Sequence, residues 1–459
     1  MDSGGAKTEL KHAATSLDER PAVRCHQRST HGAGTSWPFG PSTVSNRYNL
    51  REVATMNDVP RSNRRQLLQM TAMLGGGVLA HRQRLLAWDT PGTLGAPLGP
   101  YGERSPFEKA IRWHRDSKTP ETGSCFTPLQ ASAGTITPSS LHYERHHAGI
   151  PTIDPSQHRL VIHGMVERPL SLTMAEIQRL PSITRTLVLE CGGNSAGEWA
   201  ARTGPDVQRS YGLVSCSEWT GVPLATLLAE VGVRPGASWV IAEGADACRM
   251  ERSVPLSKAM ENTLLAYGQN GEMIRPSQGY PLRLINPGWE GNTNVKWLHS
   301  LKLTNQPYMA RDETSKYSDL MPDGKARIFT YRMEAKSVIT FPSGGQTLPG
   351  IGLYELTGLA WSGNGRIERV DITTDGGRSW TAAQLQEPRL PIALTRFRMP
   401  WRFEGREAVI ASRAIDETGY VQPSREELVA ARGGNSIYHF NGTKFWRVQA
   451  DGTVTNVDA

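Results

Sequence analysis

Thr186-Leu-Val-Leu-Glu-Cys191-Gly-Gly-Asn194 is the stretch on which the fold turns. Thr186 to Glu190 has the aliphatic run of a buried strand, and the strand delivers one cysteine into a Gly-Gly turn. Two residues without side chains let a bulky group approach the backbone. A cysteine in isolation is more often a small buried apolar residue than a ligand, so its surroundings have to decide.

Working outward, Leu160–Gly164, Trp239–Ala242 and Pro281–Ile285 also read as strands. Thr220-Gly-Val-Pro223 with Leu224, Leu227, Leu228 and Val231 has the i, i+3, i+4, i+7 spacing of an amphipathic helix, with proline just inside its start. A second helix is predicted from near Pro255 through Leu256 to Met260. The first folded region, 105–305, is therefore mixed α+β, and 306–344 is read as a linker. From 345 to 459 the pattern changes. Tyr354/Leu356 and Val370/Ile372 alternate with polar residues, and Gly363-Asn-Gly365 and Asp375-Gly-Gly377 supply turns, the pattern of a β-sandwich.

The chain has 459 residues, enough for two cores. Its formal net charge of +7 raises the question of nucleic-acid binding. Residues 1–87 hold twelve Lys and Arg against six Asp and Glu, so nearly all the surplus sits in a leader and nucleic-acid binding loses its support. Within that leader, Arg61-Ser-Asn-Arg64-Arg65-Gln-Leu-Leu68 precedes the short apolar run Met70–Ala80, and 56–87 reads as a twin-arginine export signal. Three consecutive glycines, each costing ~1 kcal/mol in a helix, argue against a surface helix there. Residues 1–55 are expected to be disordered or to precede the true start at Met56. No apolar run reaches the ~20 residues of a membrane span. Five scattered cysteines offer no disulfide scaffold, and no Cys-x-x-Cys-His is present for covalent haem, so no haem is expected on this chain.

The Cys191 segment resembles the molybdenum-ligating loop of the sulfite oxidase family, usually Cys-Ala/Ser-Gly-Asn. The resemblance extends to Tyr143-Glu-Arg145-His-His147-Ala-Gly-Ile-Pro151, Ser215-Cys-Ser-Glu-Trp219-Thr-Gly-Val-Pro-Leu and Glu243-Gly-Ala-Asp246. It continues through Gly279-Tyr-Pro-Leu-Arg283 and Pro287-Gly-Trp-Glu-Gly-Asn-Thr-Asn-Val-Lys296-Trp-Leu, in order across about 105–450. It implies a molybdopterin-binding domain followed by an Ig-like sandwich that serves dimerisation, with one molybdenum cofactor per chain. Cys191 is then the metal ligand, a soft thiolate suited to a metal held by a dithiolene. Tyr143, Arg145, His147, Asp246, Gln278, Arg283, Asn294 and Lys296 are the implied cofactor-binding residues. Read without the resemblance, Arg283 and Lys296 are ordinary solvated surface charges.

Around the substrate, the family's free-sulfite enzymes carry Arg five residues after the ligating Cys, where this chain has Ala196. A family Trp is replaced by Arg209, and an Arg lent by the second domain by His439, while Arg145 and Tyr317 are kept. These four, Arg145, Arg209, Tyr317 and His439, are the candidate catalytic residues. With Glu313-Thr-Ser-Lys-Tyr317, Met321-Pro-Asp-Gly-Lys325, Ala335–Gly345 and Asn435-Ser-Ile-Tyr-His439, the pattern is similar to one branch, the molybdenum subunit of the sulfane dehydrogenase in bacterial thiosulfate oxidation. That branch implies a periplasmic enzyme, sulfur carried on a protein cysteine as substrate, and a c-type cytochrome subunit as electron acceptor, in a homodimer or a heterotetramer with the cytochrome. The alternatives are oxidation of free sulfite, reduction of an S-oxide, and an exported assembly subunit without metal.

Overall fold

Alternation along one strand sets the architecture. Ile183–Glu190 pairs antiparallel with Val214–Pro223, Val188 opposite Cys216 and Glu190 opposite Val214. Successive side chains of a strand point to opposite faces. Leu187, Leu189 and Cys191 therefore join one apolar core with Phe126, Trp219 and Ile285. Val188 joins another with Val214, Cys216, Val338 and Trp361. Burial on both faces is why the stretch carries unbroken aliphatic residues.

The computed structural model describes residues 97–201 and 204–457. The chain divides into Met1–Tyr101 and Gly102–Ala459, and all that follows concerns the second unit. The expected extension 1–55 and the export signal 56–87, with Arg64 and Arg65, lie outside the described residues.

The Cys191 strand belongs to a five-stranded sheet with Val214–Pro223, Leu264–Gln269, Glu272–Met273 and Arg283–Ile285. A second sheet runs Leu170–Thr173, Arg159–Gly164, Leu298–Thr304, Trp239–Gly244 and Glu251–Pro255, with one parallel pairing, Arg159–Gly164 to Leu298–Thr304. The predicted helices form as Leu224–Val231 and Leu256–Glu261. Leu224, Leu227, Leu228 and Val231 are buried against the second sheet's core, as their spacing requires. Pro223 caps that helix from outside instead of lying in its first turn, and Thr220–Val222 continue the strand, where they pair with Leu265–Gly268. A small three-stranded sheet, Trp113–Arg115, Gly123–Phe126 and Glu144–His146, carries Arg145.

The C-terminal region is a sandwich. Lys336–Phe341, Gly352–Trp361, Thr395–Phe403 and Gln384–Leu385 form one sheet, and Thr381–Ala382, Ile367–Thr373, Ala408–Asp416, Phe445–Val448 and Val454–Asn456 the other. Leu356 and Leu359 from the first meet Val370, Ile410 and Trp446 from the second in one core. Its first strand, Lys336–Phe341, falls within 306–344, expected to be a linker. Five of its six residues are buried, so it lacks the polar alternation that would have marked it as a strand.

The two cores meet on a buried ion pair. Glu190, on the opposite face of its strand from Cys191, accepts from Lys336 Nζ at 2.7 Å, Trp361 Nε1 at 2.7 Å and Asn194 Nδ2 at 2.9 Å. Lys336 is 1 % exposed and also donates to Ser195 Oγ at 3.1 Å. Removing one partner of such a pair leaves an uncompensated buried charge, which costs about 3–5 kcal/mol. Lys336→Met is expected to lower unfolding stability by about that amount, read by urea denaturation. A loss below about 1 kcal/mol, the scale of an exposed pair, would contradict the joint.

Candidate active site

Cys191 ends its strand with its backbone N–H on the Leu213 carbonyl, and its own carbonyl accepts from Asn194 to close the Gly-Gly turn. The thiol is buried, and burial pushes it up from its ordinary value. It opens on a cavity. That cavity gathers all nine implied cofactor-binding residues, Tyr143, Arg145, His147, Cys191, Asp246, Gln278, Arg283, Asn294 and Lys296, together with Tyr317.

Its electrostatics are one-sided. Arg283 is 4 % exposed and donates to the Gln278 carbonyl and side-chain oxygens at 3.1 and 2.9 Å and to the Asn294 carbonyl at 3.3 Å. Burial pushes its guanidinium down to about 10. Lys296 Nζ reaches the carbonyls of Arg145 and Ser277 and His146 Nδ1 at 3.0–3.2 Å. Burial first, then Arg283, pushes it down to about 7. Among the described residues, no carboxylate forms an ion pair with Arg145, Arg283 or Lys296. The acids at the cavity are engaged elsewhere: Asp246 accepts from Cys248 Sγ at 2.8 Å and Met250 N at 3.3 Å, and Glu144 meets Arg112 and His146.

Gln278 donates to the Tyr143 carbonyl at 2.8 Å and so ties two of the expected segments together. Asn294 lines the cavity with its amide already spent: it donates to the Glu290 and Trp289 carbonyls and accepts from Asn286 N at 2.7 Å. It shapes the loop that holds Lys296.

Tyr317 stands at the same cavity, 6 % exposed, with Oη 3.4 Å from His147 Nε2. Burial pushes its phenol well above the ordinary value, so the hydroxyl keeps its proton as a donor. Burial pushes His147 down to about 4, leaving a neutral ring beside it. Tyr317 has φ 51° and His439 φ 61°, left-handed conformations that side chains rarely adopt. Each is held by neighbours. Asp319, two residues past Tyr317, is buried on Arg432 at 3.1 Å and on Ser436, and the His439 N–H donates to the Gly192 carbonyl at 2.8 Å.

The other candidates divide between two further cavities. His439 shares one with Cys191 and Gly192, its Nδ1 2.5 Å from Glu290 Oε1. Ala196 and Arg209 line another with Gly193, on a different side of the Cys191 loop, where Arg209 stacks over Trp113 at 5.3 Å and pairs with Asp206 at 3.5 Å. Arg209 is thus absent from the cavity of Tyr317 and Arg145 and is already engaged. Sequence reasoning missed Glu290. It lies inside a quoted segment, yet its partner is 149 positions away, a distance no local pattern encodes.

Comparison with known proteins agrees with this geometry. Residues 147–311 match the oxidoreductase molybdopterin binding domain and 327–444 the Mo-co oxidoreductase dimerisation domain. Sulfite oxidase of Gallus gallus is 30% identical over 63% of this chain and 68% of its own length. The chain belongs to the sulfite oxidase family of molybdenum-cofactor oxidoreductases. The family is not uniform in chemistry: nitrate reductase of Hordeum vulgare is 32% identical over 65% of this chain, which spans 38% of that protein. The crystal structure of the sulfane dehydrogenase SoxCD from Paracoccus pantotrophus superposes with a TM-score of 0.79 at 45% identity, covering 82% of this chain and 98% of that one.

The residues present fit the family's cofactor. Arg283, buried, and Lys296, half-buried, have no carboxylate ion pair among the described residues; such cations are costly unless an anion joins them, and a pterin's terminal phosphate would supply one. Cys191 would be the protein's ligand to the metal, whose binding would displace the proton that burial otherwise holds on sulfur. The two roles separate by variant. Cys191→Ser is expected to keep pterin while losing turnover, whereas Arg283→Gln with Lys296→Gln should strip the pterin. Pterin and molybdenum content of purified protein read both, and full activity of Cys191→Ser would remove its role as ligand.

Proposed function

We propose that this oxidoreductase oxidises sulfur carried on the thiol of a partner protein and passes the electrons to a c-type cytochrome subunit, in the periplasm after twin-arginine export. The observation that carries the substrate reading is the small number of guanidinium groups in the cavity that Cys191 shares with Tyr317. Arg145 and Arg283 are those that line the cavity of Tyr317, and Arg283 is committed to Gln278 and Asn294. A free dianion gains from several fixed guanidinium donors, and Ala196 and His439 stand where the family's sulfite enzymes have two. Likeness to SoxCD over nearly that whole chain supports the same reading.

When bound, the molybdenum cofactor supplies a two-electron centre able to exchange oxygen with sulfur. The chain's own groups do the rest. Arg145 holds the anionic end of the substrate, and Tyr317 Oη donates to the oxygen being transferred. Adding one water-derived oxygen to sulfur releases two protons and two electrons. His147 Nε2, neutral and 3.4 Å from Tyr317 Oη, orients the phenol as a hydrogen-bond acceptor. The sandwich pairs two copies in this reading, and the cytochrome docks on the assembled enzyme.

Purified enzyme should turn over a persulfide-bearing carrier peptide at least about ten-fold more efficiently than free sulfite, a ratio equivalent to ~1.4 kcal/mol of transition-state binding. Efficient sulfite turnover with no gain from the carrier would overturn the substrate reading. For export, the Arg64→Lys, Arg65→Lys double variant should collect in the cytoplasm as folded, cofactor-loaded protein. Unchanged export would sink the twin-arginine assignment.

A further inference from the structure

The loop Cys191-Gly192-Gly193 departs from the family's usual Cys-Ala/Ser-Gly, and the neighbourhood of Gly192 gives a reason. A Cβ placed on Gly192 would lie 2.5 Å from Glu290 Oε2 and 2.9 Å from Asn292 Nδ2. The space that a family Ala or Ser would fill is taken by a carboxylate. Glu290 is 5 % exposed, with Oε2 accepting from Asn292 Nδ2 at 2.9 Å and Oε1 2.5 Å from His439 Nδ1. The His439 backbone N–H donates to the Gly192 carbonyl at 2.8 Å, which holds the residue against the loop. The ring's Nε2 is buried with no partner, at the cavity that Cys191 also lines. Gly192, Glu290 and His439 thus form one unit.

We propose that Glu290 is a specificity-determining residue: it positions His439 with Nε2 toward the cavity beside Cys191 and removes one unit of positive charge there, which disfavours small dianionic sulfur oxyanions and favours sulfur attached to an organic thiol. The charge argument holds for either protonation state of the ring, because the pair is always one unit more negative than His439 alone. The cavity's remaining charges do not restore it. Glu190 is paired with Lys336, Arg432 lies between Asp319 and Glu334, and Arg332 is exposed. A dianion feels one added negative charge twice as strongly as a monoanion does at the same distance. A sulfonate attached to an organic thiol carries one negative charge where free sulfite or sulfate carries two, so this cavity ranks the two ligand classes by charge. The inference rests on the carrier-sulfur reading only for the identity of the favoured substrate.

Glu290→Gln keeps the shape and removes the charge. In molybdenum-loaded enzyme, inhibition by sulfate, an unreactive dianion, should strengthen about ten-fold and the KM for sulfite should fall with it. Inhibition by methanesulfonate, a monoanion of similar shape, should move less than about three-fold, since it carries half the charge. His439→Gln, which abolishes the imidazole while leaving Glu290, should not strengthen sulfate binding. Sulfate and methanesulfonate inhibition both unchanged in a loaded Glu290→Gln enzyme would overturn the proposal. If that variant does not load molybdenum, the wild-type enzyme decides: methanesulfonate should inhibit at least as well as sulfate, and a ten-fold preference for sulfate would refute the charge argument. A carrier-independent wild-type enzyme whose sulfate inhibition still tightens in Glu290→Gln would fail the carrier reading and leave this one standing.

Discussion

The buried contact of Glu190 with Lys336 fixes where Cys191 can point. A strand places neighbours on opposite faces, so anchoring the Glu190 carboxylate against Lys336 and Trp361 turns Cys191 toward the cavity. The anchor also crosses between the molybdopterin-binding region and the sandwich. Apolar burial would hold the two together without choosing a register. A carboxylate with three fixed donors chooses one, because a one-residue slip would bury it against aliphatic side chains. The turn after Cys191 is clamped in the same way: Lys444 meets the Glu198 carboxylate at 2.9 Å, Arg425 the carbonyls of Glu198 and Trp199, and Trp199 Nε1 the Tyr438 carbonyl.

The active site is therefore a product of both regions. Tyr317 and His439 occupy left-handed backbone conformations, which cost of order 1–3 kcal/mol each and persist only where neighbours over-determine them. For Tyr317 those neighbours include Arg432 and Ser436, acting through Asp319. For His439 they are Gly192 and Glu290. Residues from the sandwich end of the chain hold a side chain near Cys191, and residues beside Cys191 hold a side chain from the sandwich end. Neither region would present Tyr317 and His439 in this way without the other.

Much of this was legible in the sequence because the relevant information is local. The Leu224–Val231 helix follows from apolar spacing alone, and the Cys191 strand from its aliphatic run. The ten residues that meet in the main cavity sit in short segments whose order could be matched one by one. What stayed hidden is long-range. The Lys336 strand has no alternating pattern because it is buried on both faces, and it was read as linker. Arg209 was assigned to the substrate rim by position, but Asp206 and Trp113 draw it to a neighbouring cavity.

The most instructive residue is Gly192. As sequence it reads only as permission for close approach, without saying by what. The structure supplies the approaching group, a carboxylate 2.5 Å from the position of a Cβ. That contact joins Gly192, Glu290 and His439 in one constraint. With Ala at 192 the Glu290 side chain would have to withdraw, and His439 would lose the partner that orients it. With Arg at 439, the same carboxylate would sit against a guanidinium and neutralise the charge that a free dianion needs. Either single substitution breaks the unit, so the geometry of Gly192, Glu290 and His439 stands or falls together.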